Sequence, residues 1–198
     1  MQRIFHTPEG VRDIYSQECS RKQKLQEKLH RVFHQYGFED IETPTFEYFE
    51  VFSKEVGTIP SRELYKFFDR EGNTLVLRPD FTPSVSRACA TYFNPEKEVV
   101  SLCYTGNTFI NNSSFRGRLK ETTQMGVERM GDDSPEADAE ILAMTVECLL
   151  ATGLTEFQVS VGQVDYYKAI FAQTGMSQEE EEELRELISQ KNYFGVEE

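Results

Sequence analysis

The chain has 198 residues, of which 38% are hydrophobic and 28% charged, and its net charge is −13. This composition is typical of a soluble globular protein, and the acidity disfavours a tRNA partner, because a tRNA-binding surface must neutralise phosphates with Lys and Arg. No apolar N-terminal segment and no apolar run of membrane-spanning length is found, so we expect a cytoplasmic protein with no membrane partner.

The residue types that most often bind metals are few and lie far apart along the chain. They are Cys19, Cys89, Cys103, Cys148, His6, His30 and His34. No C-x-x-C pair or other metal-ligand spacing appears among them. The pattern therefore predicts reduced thiols, no metal ion and no other cofactor.

The N-terminal part of the chain predicts a turn followed by a long amphipathic helix. Pro8 and Gly10 are typical turn residues. Apolar residues then recur at three- and four-residue spacing, which predicts a helix over 17–36 that ends at Gly37. The apolar residues are Leu25, Leu29, Val32, Phe33 and Tyr36.

The next part of the chain predicts a hairpin and a second helix. Strand-like runs at 64–68 and 74–77 flank the turn residues 70–73. A proline-bracketed loop over 78–83 follows, and a helix is expected over 83–92.

The proline-bracketed loop has two interpretations. Thr82 and Pro83 fit a helix start, with Thr82 as the N-cap and Pro83 at the first helical position. Alternatively, Asp80 and Thr82 line a pocket for the ammonium group of an amino acid. Both interpretations can hold, because one loop can cap a helix and form the wall of a pocket.

The stretch 101–131 predicts two strands joined by a loop at the turn-forming residues 111–114. Because alternate side chains of a strand share a face, Tyr104, Gly106, Thr108 and Ile110 form one face of the first strand, and Thr122, Gln124, Gly126 and Glu128 form one face of the second. Glycines between polar residues allow a small ligand to approach the backbone. The alternative is that Gln124 and Glu128 belong to the solvated side of an ordinary antiparallel sheet.

The segment after this hairpin predicts a helix with recognisable ends. Ser134, Pro135 and Glu136 form a typical helix start, and Gly153 is a typical stop. The predicted buried stripe consists of Ile141, Leu142, Thr145, Cys148 and Leu149.

The C-terminal part of the chain predicts one strand and two helices. Phe157, Val159 and Val161 alternate as in a strand, and helices are expected over 165–173 and 179–188. The run of five glutamates that opens the last helix is interpreted as a solvated face without a function.

Four stretches carry a family resemblance, and they lie in the family's order. They are TPEGVRDI, GFEDIETPTFE, LRPDFTPSVSRA and GRLKETTQMGVERMG. Together they resemble class II aminoacyl-tRNA synthetases of the histidyl-tRNA synthetase branch. The resemblance implies an α+β fold in which helices flank an antiparallel sheet. It also implies a homodimer formed by the first helix and the strand that contains Pro44, whereas the simpler interpretation is that this helix covers its own sheet.

The departures from the synthetase pattern fall on the groups that handle ATP. Ile110 stands where the synthetases have the arginine that binds the ATP α-phosphate, and Asn112 and Ser113 replace a glutamate and a second arginine. Thr122 replaces the aromatic ring that stacks on adenine. Removal of one such donor costs roughly 3 kcal/mol of transition-state stabilisation, so we expect no adenylate formation.

The stretches that remain are LRPDFTPS, GNTF, GRLKETTQ and GVE, followed by SPEADAEI. They resemble the regulatory subunits of ATP phosphoribosyltransferase, the synthetase-like partners of short-form catalytic subunits in the first step of histidine biosynthesis. Asp80 and Phe81 replace a glutamate and a glycine of the synthetases, and a bulky Phe81 is expected to narrow the substrate site. We expect residues 1–176 to form a synthetase-like core that ends before the third motif. Residues 177–198 are expected to form an acidic helical tail or the start of an inserted domain.

The resemblance implies a pocket for free histidine. Its candidate residues are Asp80, Thr82, Arg118, Gln124 and Glu128, with Arg118 as the cation nearest in sequence for the carboxylate. Three hypotheses follow: a non-catalytic regulatory subunit of a short-form ATP phosphoribosyltransferase, a divergent synthetase that activates histidine, and a free-standing amino-acid-binding module.

Overall fold

The structure is a computed structural model that describes residues 5–53, 59–112, 117–189, 192, 194 and 195. It divides into two compact units, one ending at Thr155 and one beginning at Glu156. The predicted boundary between residues 176 and 177 falls inside the second unit and stays a prediction. Along the described ranges, no helix combines the length and the apolar character needed to cross a bilayer.

The first unit contains helices and strands in mixed order, which confirms the predicted α+β class. The helices are α1 (Ser16–Gln35), α2 (Glu50–Ser53), α3 (Thr82–Tyr92) and α4 (Pro135–Thr152), with a 3-10 turn at Ser61–Glu63. The strands are β1 (Glu39–Asp40), β2 (Phe46–Tyr48), β3 (Lys66–Phe68), β4 (Thr74–Leu77), β5 (Val100–Phe109) and β6 (Glu121–Met130). The second unit contains α5 (Val164–Thr174) and α6 (Gln178–Ser189), and both were predicted.

The long antiparallel pair of β5 and β6 is the centre of the first sheet, which has the strand order β1-β5-β6 with β1 parallel to β5. Tyr104 pairs with Gly126, and Thr108 pairs with Thr122. Since directly paired residues share a face, the predicted sorting of side chains along both strands is confirmed. The predicted loop includes Ser113 and Ser114, which lie outside the described residues.

Helices α1 and α4 cover the face of this sheet that is opposite to Tyr104 and Gly126. The core there is built from Val32, Phe33, Phe38, Cys103 and Met144, with Met125 and Val127 packed against it. The carboxyl-terminal half of α1 therefore covers its own sheet, as the simpler interpretation of this helix predicted. The implied homodimer stays a prediction.

The second sheet has the order β2-β4-β3 and is antiparallel throughout. It contains the predicted hairpin of β3 and β4. Asp69 closes the turn by accepting hydrogen bonds from the backbone and side-chain nitrogens of Asn73, each at 2.8 Å. Gly72 has φ +87°, a conformation that favours glycine. Val76 of this sheet is fully buried and packs in a hydrophobic cluster with Phe52 and Leu64.

The ends of α4 match the prediction, whereas its predicted buried stripe is wrong in part. Ser134 Oγ accepts a hydrogen bond from Ala137 N at 3.2 Å, and Gly153 caps the other end with φ +100°. Leu142 and Thr145 are exposed. The stripe that packs inward is rotated by about one residue and consists of Ala137, Ile141, Met144, Cys148 and Ala151.

The predicted strand at 157–161 is wrong, because these residues form neither strand nor helix. Phe157, Val159 and Val161 are 38%, 39% and 68% exposed. An alternating pattern becomes a strand only where a neighbour supplies backbone hydrogen bonds. None of the described strands pairs with this segment.

Arg78 connects the two sheets of the first unit. Its side chain is buried, and it donates to the carbonyl oxygens of Asn107 and Thr43, each at 2.9 Å, and of Pro44 at 3.3 Å. The guanidinium lies 3.9 Å from the centre of the Phe81 ring. A planar fork of donors suits this arrangement, because it satisfies several carbonyls in one plane and stacks on an aromatic face.

We expect Arg78→Lys to destabilise the protein by about 2 kcal/mol or more, because lysine loses the fork and leaves buried carbonyls without donors. Urea denaturation followed by circular dichroism measures the loss. Arg70→Lys is the matched control, since Arg70 is exposed on a turn, and its effect should stay within about 0.5 kcal/mol. Equal stability of the two variants would contradict this role of Arg78.

Candidate functional site

The candidate site lies on the face of the β5–β6 pair opposite to α1 and α4. Gln124 and Glu128 point from β6 towards the start of α3, where Asp80 and Thr82 lie. Gln124 Nε2 donates to Asp80 Oδ1 at 3.0 Å, and Thr82 Oγ1 donates to Glu128 Oε1 at 2.7 Å. The fold thus brings together four of the five predicted binding residues, and we call them the polar cluster.

The contacts of the polar cluster contradict two of the sequence-based interpretations. Gln124 and Glu128 are only partly exposed and are hydrogen-bonded to α3 and its preceding loop, so they are not the solvated side of an ordinary sheet. Thr82 is the first residue of α3, the N-cap is Phe81, and no side chain caps the helix. The Thr82 hydroxyl is instead committed to Glu128.

Tyr104 belongs to the same site, although sequence reasoning did not assign it a role. Its hydroxyl donates to Glu128 Oε1 at 3.4 Å, and its ring stacks on that of Phe81 with the centroids 4.3 Å apart. The available signal was its place on the same face of the first strand as Gly106 and Thr108, and the strand pairing brings this face together with Gln124 and Glu128. Burial and the neighbouring carboxylates of Glu128 and Asp80 raise the pKa of Tyr104, so it stays a donor at neutral pH.

The two carboxylates of the polar cluster have only neutral hydrogen-bond partners in the described part of the chain. Glu128 accepts from Thr82 and Tyr104, and Asp80 accepts from Gln124 and the backbone nitrogen of Phe81. Burial is the main cause that raises the pKa of Glu128, and the Asp80 charge adds to it. An arrangement of this kind favours a cation, because a positive charge would relieve the repulsion between the carboxylates.

The two glycines of this face make room for the protein's own side chains. A Cβ at Gly126 would lie 2.6 Å from Tyr104 Cζ, and one at Gly106 would lie 2.7 Å from Phe81 Cζ. Phe81 is almost completely buried, so it forms part of the floor beneath the polar cluster. The rings of Tyr104 and Phe81, and not a ligand, therefore make the close approach to the strand backbone at these glycines.

Arg118 is the predicted binding residue that the fold places elsewhere. It lines a cavity of about 520 Å³ together with Ile110, Asn112 and Thr122, three of the positions that differ from the synthetase pattern. The fourth position, Ser113, lies outside the described residues. The remaining walls of this cavity are Ile59, Pro60, Glu63, Leu119 and Lys120. The pairing of Arg118 with a histidine carboxylate stays a prediction.

Comparison with known proteins gives one consistent family. The family model described as histidyl-tRNA synthetase matches residues 10–198. The ATP phosphoribosyltransferase regulatory subunit of Acetivibrio thermocellus is 43% identical over 194 residues, which cover 98% of this chain and 46% of that protein. The regulatory subunit of Clostridium acetobutylicum is 37% identical over 193 residues, which cover 98% of this chain and 47% of that protein. The chain thus spans about half the length of the curated relatives it matches.

Solved structures agree with these relatives. The ATP phosphoribosyltransferase regulatory subunit/histidyl-tRNA synthetase from Bacillus halodurans has a TM-score of 0.89 and 32% identity, over 99% of this chain and 50% of that one. Apo histidyl-tRNA synthetase from S. aureus has a TM-score of 0.61 and 27% identity, over 76% of this chain and 35% of that one. The predicted class II synthetase-like fold is therefore confirmed.

We expect Glu128→Gln to stabilise the protein increasingly as the pH rises from about 4 towards neutrality. In the folded wild type the pKa of Glu128 is raised, so the folded state holds its proton more tightly than the unfolded state. The stability from this proton is present below the ordinary glutamate pKa of about 4.3 and is lost as the pH rises through the raised pKa. Glutamine keeps the acceptor oxygen for Thr82 without this loss.

Urea denaturation of both proteins at a series of pH values measures the difference in their free energies of unfolding. A difference that stays constant between pH 4 and pH 7 would contradict the raised pKa of Glu128.

Proposed function

The chain belongs to the histidyl-tRNA synthetase family, and from this membership we propose that it is a non-catalytic regulatory subunit of a short-form ATP phosphoribosyltransferase. It would bind the catalytic subunit and change that subunit's activity in the first step of histidine biosynthesis. The names of its curated relatives support this function. We further propose that it acts in the cytoplasm, where cell fractionation should recover it.

One observation carries the proposal: hydrogen bonds hold the polar cluster together, while Ile110 and Thr122 stand where the family resemblance places the ATP-binding arginine and the adenine-stacking ring. The polar cluster retains two carboxylates, an amide and a hydroxyl that contact one another. Ile110 and Thr122 line a cavity together with Arg118 and Lys120, and they lack the guanidinium and the aromatic ring that the synthetase pattern has at their positions. A protein of this kind can bind an amino acid without activating it.

The divergent-synthetase hypothesis makes an opposite prediction about ATP. A synthetase that forms histidyl-adenylate exchanges radioactive pyrophosphate into ATP in the presence of histidine. We propose that this chain does not, since Ile110 cannot stabilise the charge on the α-phosphate. The acidity of residues 1–176, with a net charge of −7, also argues against tRNA as a partner.

Free histidine is the ligand that we propose for the polar cluster. Its ammonium group would bind between Asp80 and Glu128, whose hydrogen-bond partners in the described ranges are neutral. The imidazole can donate a hydrogen bond to the side-chain carbonyl of Gln124 or accept one from its NH₂ group. A free-standing amino-acid-binding module would share this pocket, so only the effect on a catalytic partner separates the two hypotheses.

A homodimer is the assembly that we propose for the chain. The second sheet exposes apolar side chains on one face: Phe46 is 50%, Tyr48 55% and Phe67 37% exposed. The Phe46 and Phe67 rings contact each other edge to face, with centroids 5.7 Å apart. An apolar face of this kind on a strand next to Pro44 fits the class II dimer that the family resemblance implies.

We expect the chain to form a complex with a short-form catalytic subunit and to change its turnover. Sedimentation velocity of the mixture measures the complex, and pyrophosphate release measures turnover. A coupling free energy of about 1–3 kcal/mol corresponds to a 5- to 150-fold change in affinity for substrate. No complex and unchanged turnover would reject the regulatory function, and pyrophosphate exchange above background with the chain alone would favour the synthetase.

We expect histidine to bind one site per chain in titration calorimetry, and we expect Glu128→Ala and Gln124→Ala each to weaken binding by about tenfold or more, since each removes a hydrogen-bonded partner. Glu136→Ala is the control, because Glu136 lies in the first turn of α4. Equal affinity for histidine in the wild type and in both cluster variants would contradict histidine binding at the polar cluster.

We expect Phe46→Glu to shift the chain from dimer to monomer in sedimentation equilibrium, because it places a charge in the proposed contact. Phe68→Glu is the matched control: Phe68 is 72% exposed and is the neighbour of Phe67 in β3, so its side chain points to the other face. A wild type that is monomeric, or a dimer unaffected by Phe46→Glu, would contradict the proposed interface.

A further inference from the structure

We propose that the chain has a zinc site formed by His30, His34, Asp40 and Cys103. Each of these residues offers one donor atom, and the four donor atoms lie within 4.8 Å of one another. We call the four residues the His–Asp–Cys cluster. It lies on the α1 side of the β5–β6 pair, away from the polar cluster.

Local structure explains how residues far apart in sequence meet here. His30 and His34 are four residues apart on α1, so their side chains project from the same side of the helix, and their rings are nearly perpendicular with centroids 5.4 Å apart. Asp40 on β1 is the direct partner of Cys103 on β5, and paired residues share a face. Sequence spacing gave no metal signal because three separate elements supply the donors.

The distances from Asp40 to the other three donors are close to those of a tetrahedral metal site. Asp40 Oδ1 is 3.2 Å from His30 Nδ1 and 3.5 Å from Cys103 Sγ, and Asp40 Oδ2 is 2.9 Å from His34 Nε2. Around Zn²⁺, with bonds of about 2.0–2.3 Å, neighbouring donors lie roughly 3.3–3.6 Å apart. The four donor atoms lie within 4.8 Å of one another, so binding requires the more widely spaced donors to move inward around the ion.

A neighbouring hydroxyl fixes one of the histidines in a ligand orientation. His30 Nε2 lies 2.9 Å from Thr105 Oγ1. When Nε2 carries the proton and donates it to Thr105, the lone pair of Nδ1 points at Asp40 and the centre of the cluster. Metal-binding histidines typically donate a hydrogen bond from their second ring nitrogen to a neighbouring acceptor. Thr105 is therefore a positioning residue for His30.

The chemistry of the donors selects the class of metal. Two imidazole nitrogens, one carboxylate oxygen and one sulfur suit a borderline-soft divalent ion such as Zn²⁺ or Co²⁺, whereas Mg²⁺ and Ca²⁺ prefer oxygen ligands. A groove of about 980 Å³ is lined by His30, His34 and Thr105, and the Asp40 side chain is 56% exposed, while Cys103 is fully buried. The groove thus gives the ion an entry path, and burial shields the sulfur atom of Cys103 from solvent.

A metal bound here would fasten α1 to β1 and β5. An ion that binds only the folded state stabilises it by mass action. We therefore expect one equivalent of Zn²⁺ to bind the metal-stripped, tag-free chain and to raise its melting temperature, in titration calorimetry and differential scanning fluorimetry respectively.

Two matched pairs of variants test the ligands. His34→Gln should weaken Zn²⁺ binding by roughly tenfold or more, and because the His34 side chain is 48% exposed this variant keeps its core. His6→Gln removes the remaining histidine of the chain and should bind like the wild type. Cys103→Ala should also weaken binding, whereas Cys148→Ala, in the same hydrophobic cluster, should not.

Co²⁺ and Thr105→Val separate a built site from weak surface chelation. Co²⁺ bound through Cys103 gives a sulfur-to-cobalt charge-transfer band in the near ultraviolet, and this band should be absent in Cys103→Ala and retained in Cys148→Ala. Thr105→Val leaves all four donors in place and should weaken Zn²⁺ binding by about tenfold. The absence of saturable one-to-one binding, equal affinity of wild type and His34→Gln, or the absence of the band in the wild type would overturn the proposal.

Discussion

The stack of Arg78, Phe81 and Tyr104 is the interaction on which the first unit depends. Arg78 holds carbonyl groups of the Thr43–Pro44 segment and of β5, and its guanidinium rests on Phe81, which in turn stacks on Tyr104. The stack fixes the start of α3 against the β5–β6 pair, and the Tyr104 hydroxyl then reaches Glu128. A buried cation that satisfies backbone carbonyls thereby positions a candidate ligand-binding carboxylate.

Two regions of a single sheet face differ in their chemistry. Towards Glu128 the face is polar and supported by the stack. Towards Ile110 and Thr122 the same pair of strands leads to a cavity that is also lined by Arg118 and Lys120, while Ile110 and Thr122 themselves carry neither a guanidinium nor an aromatic ring. Recognition of an ammonium group needs positioned acceptors, which the polar cluster has, whereas adenylate formation needs donors aimed at a developing charge.

Local features of this fold could be predicted from the sequence, and non-local ones could not. Ser134 and Gly153 mark the ends of α4 because caps depend on neighbouring residues, and strand parity sorted Gln124 and Glu128 correctly because it needs only alternation. The hydroxyl of Thr82 was misassigned to a helix cap because its partner, Glu128, is 46 residues away. Arg118 was grouped with the polar cluster from its sequence position alone, and the apolar alternation at 157–161 lacked the neighbour that a strand requires.

The contact between Phe81 and Gly106 also constrains the order in which substitutions can accumulate. A Cβ at position 106 would lie 2.5 Å from a guanidinium nitrogen of Arg78 and 2.7 Å from Phe81 Cζ, so it becomes tolerable only when both of these side chains move or are replaced. Conversely, the ring and the guanidinium can hold their places only while position 106 is glycine. The three positions are therefore epistatic, because the cost of a substitution at one of them depends on the residues at the other two.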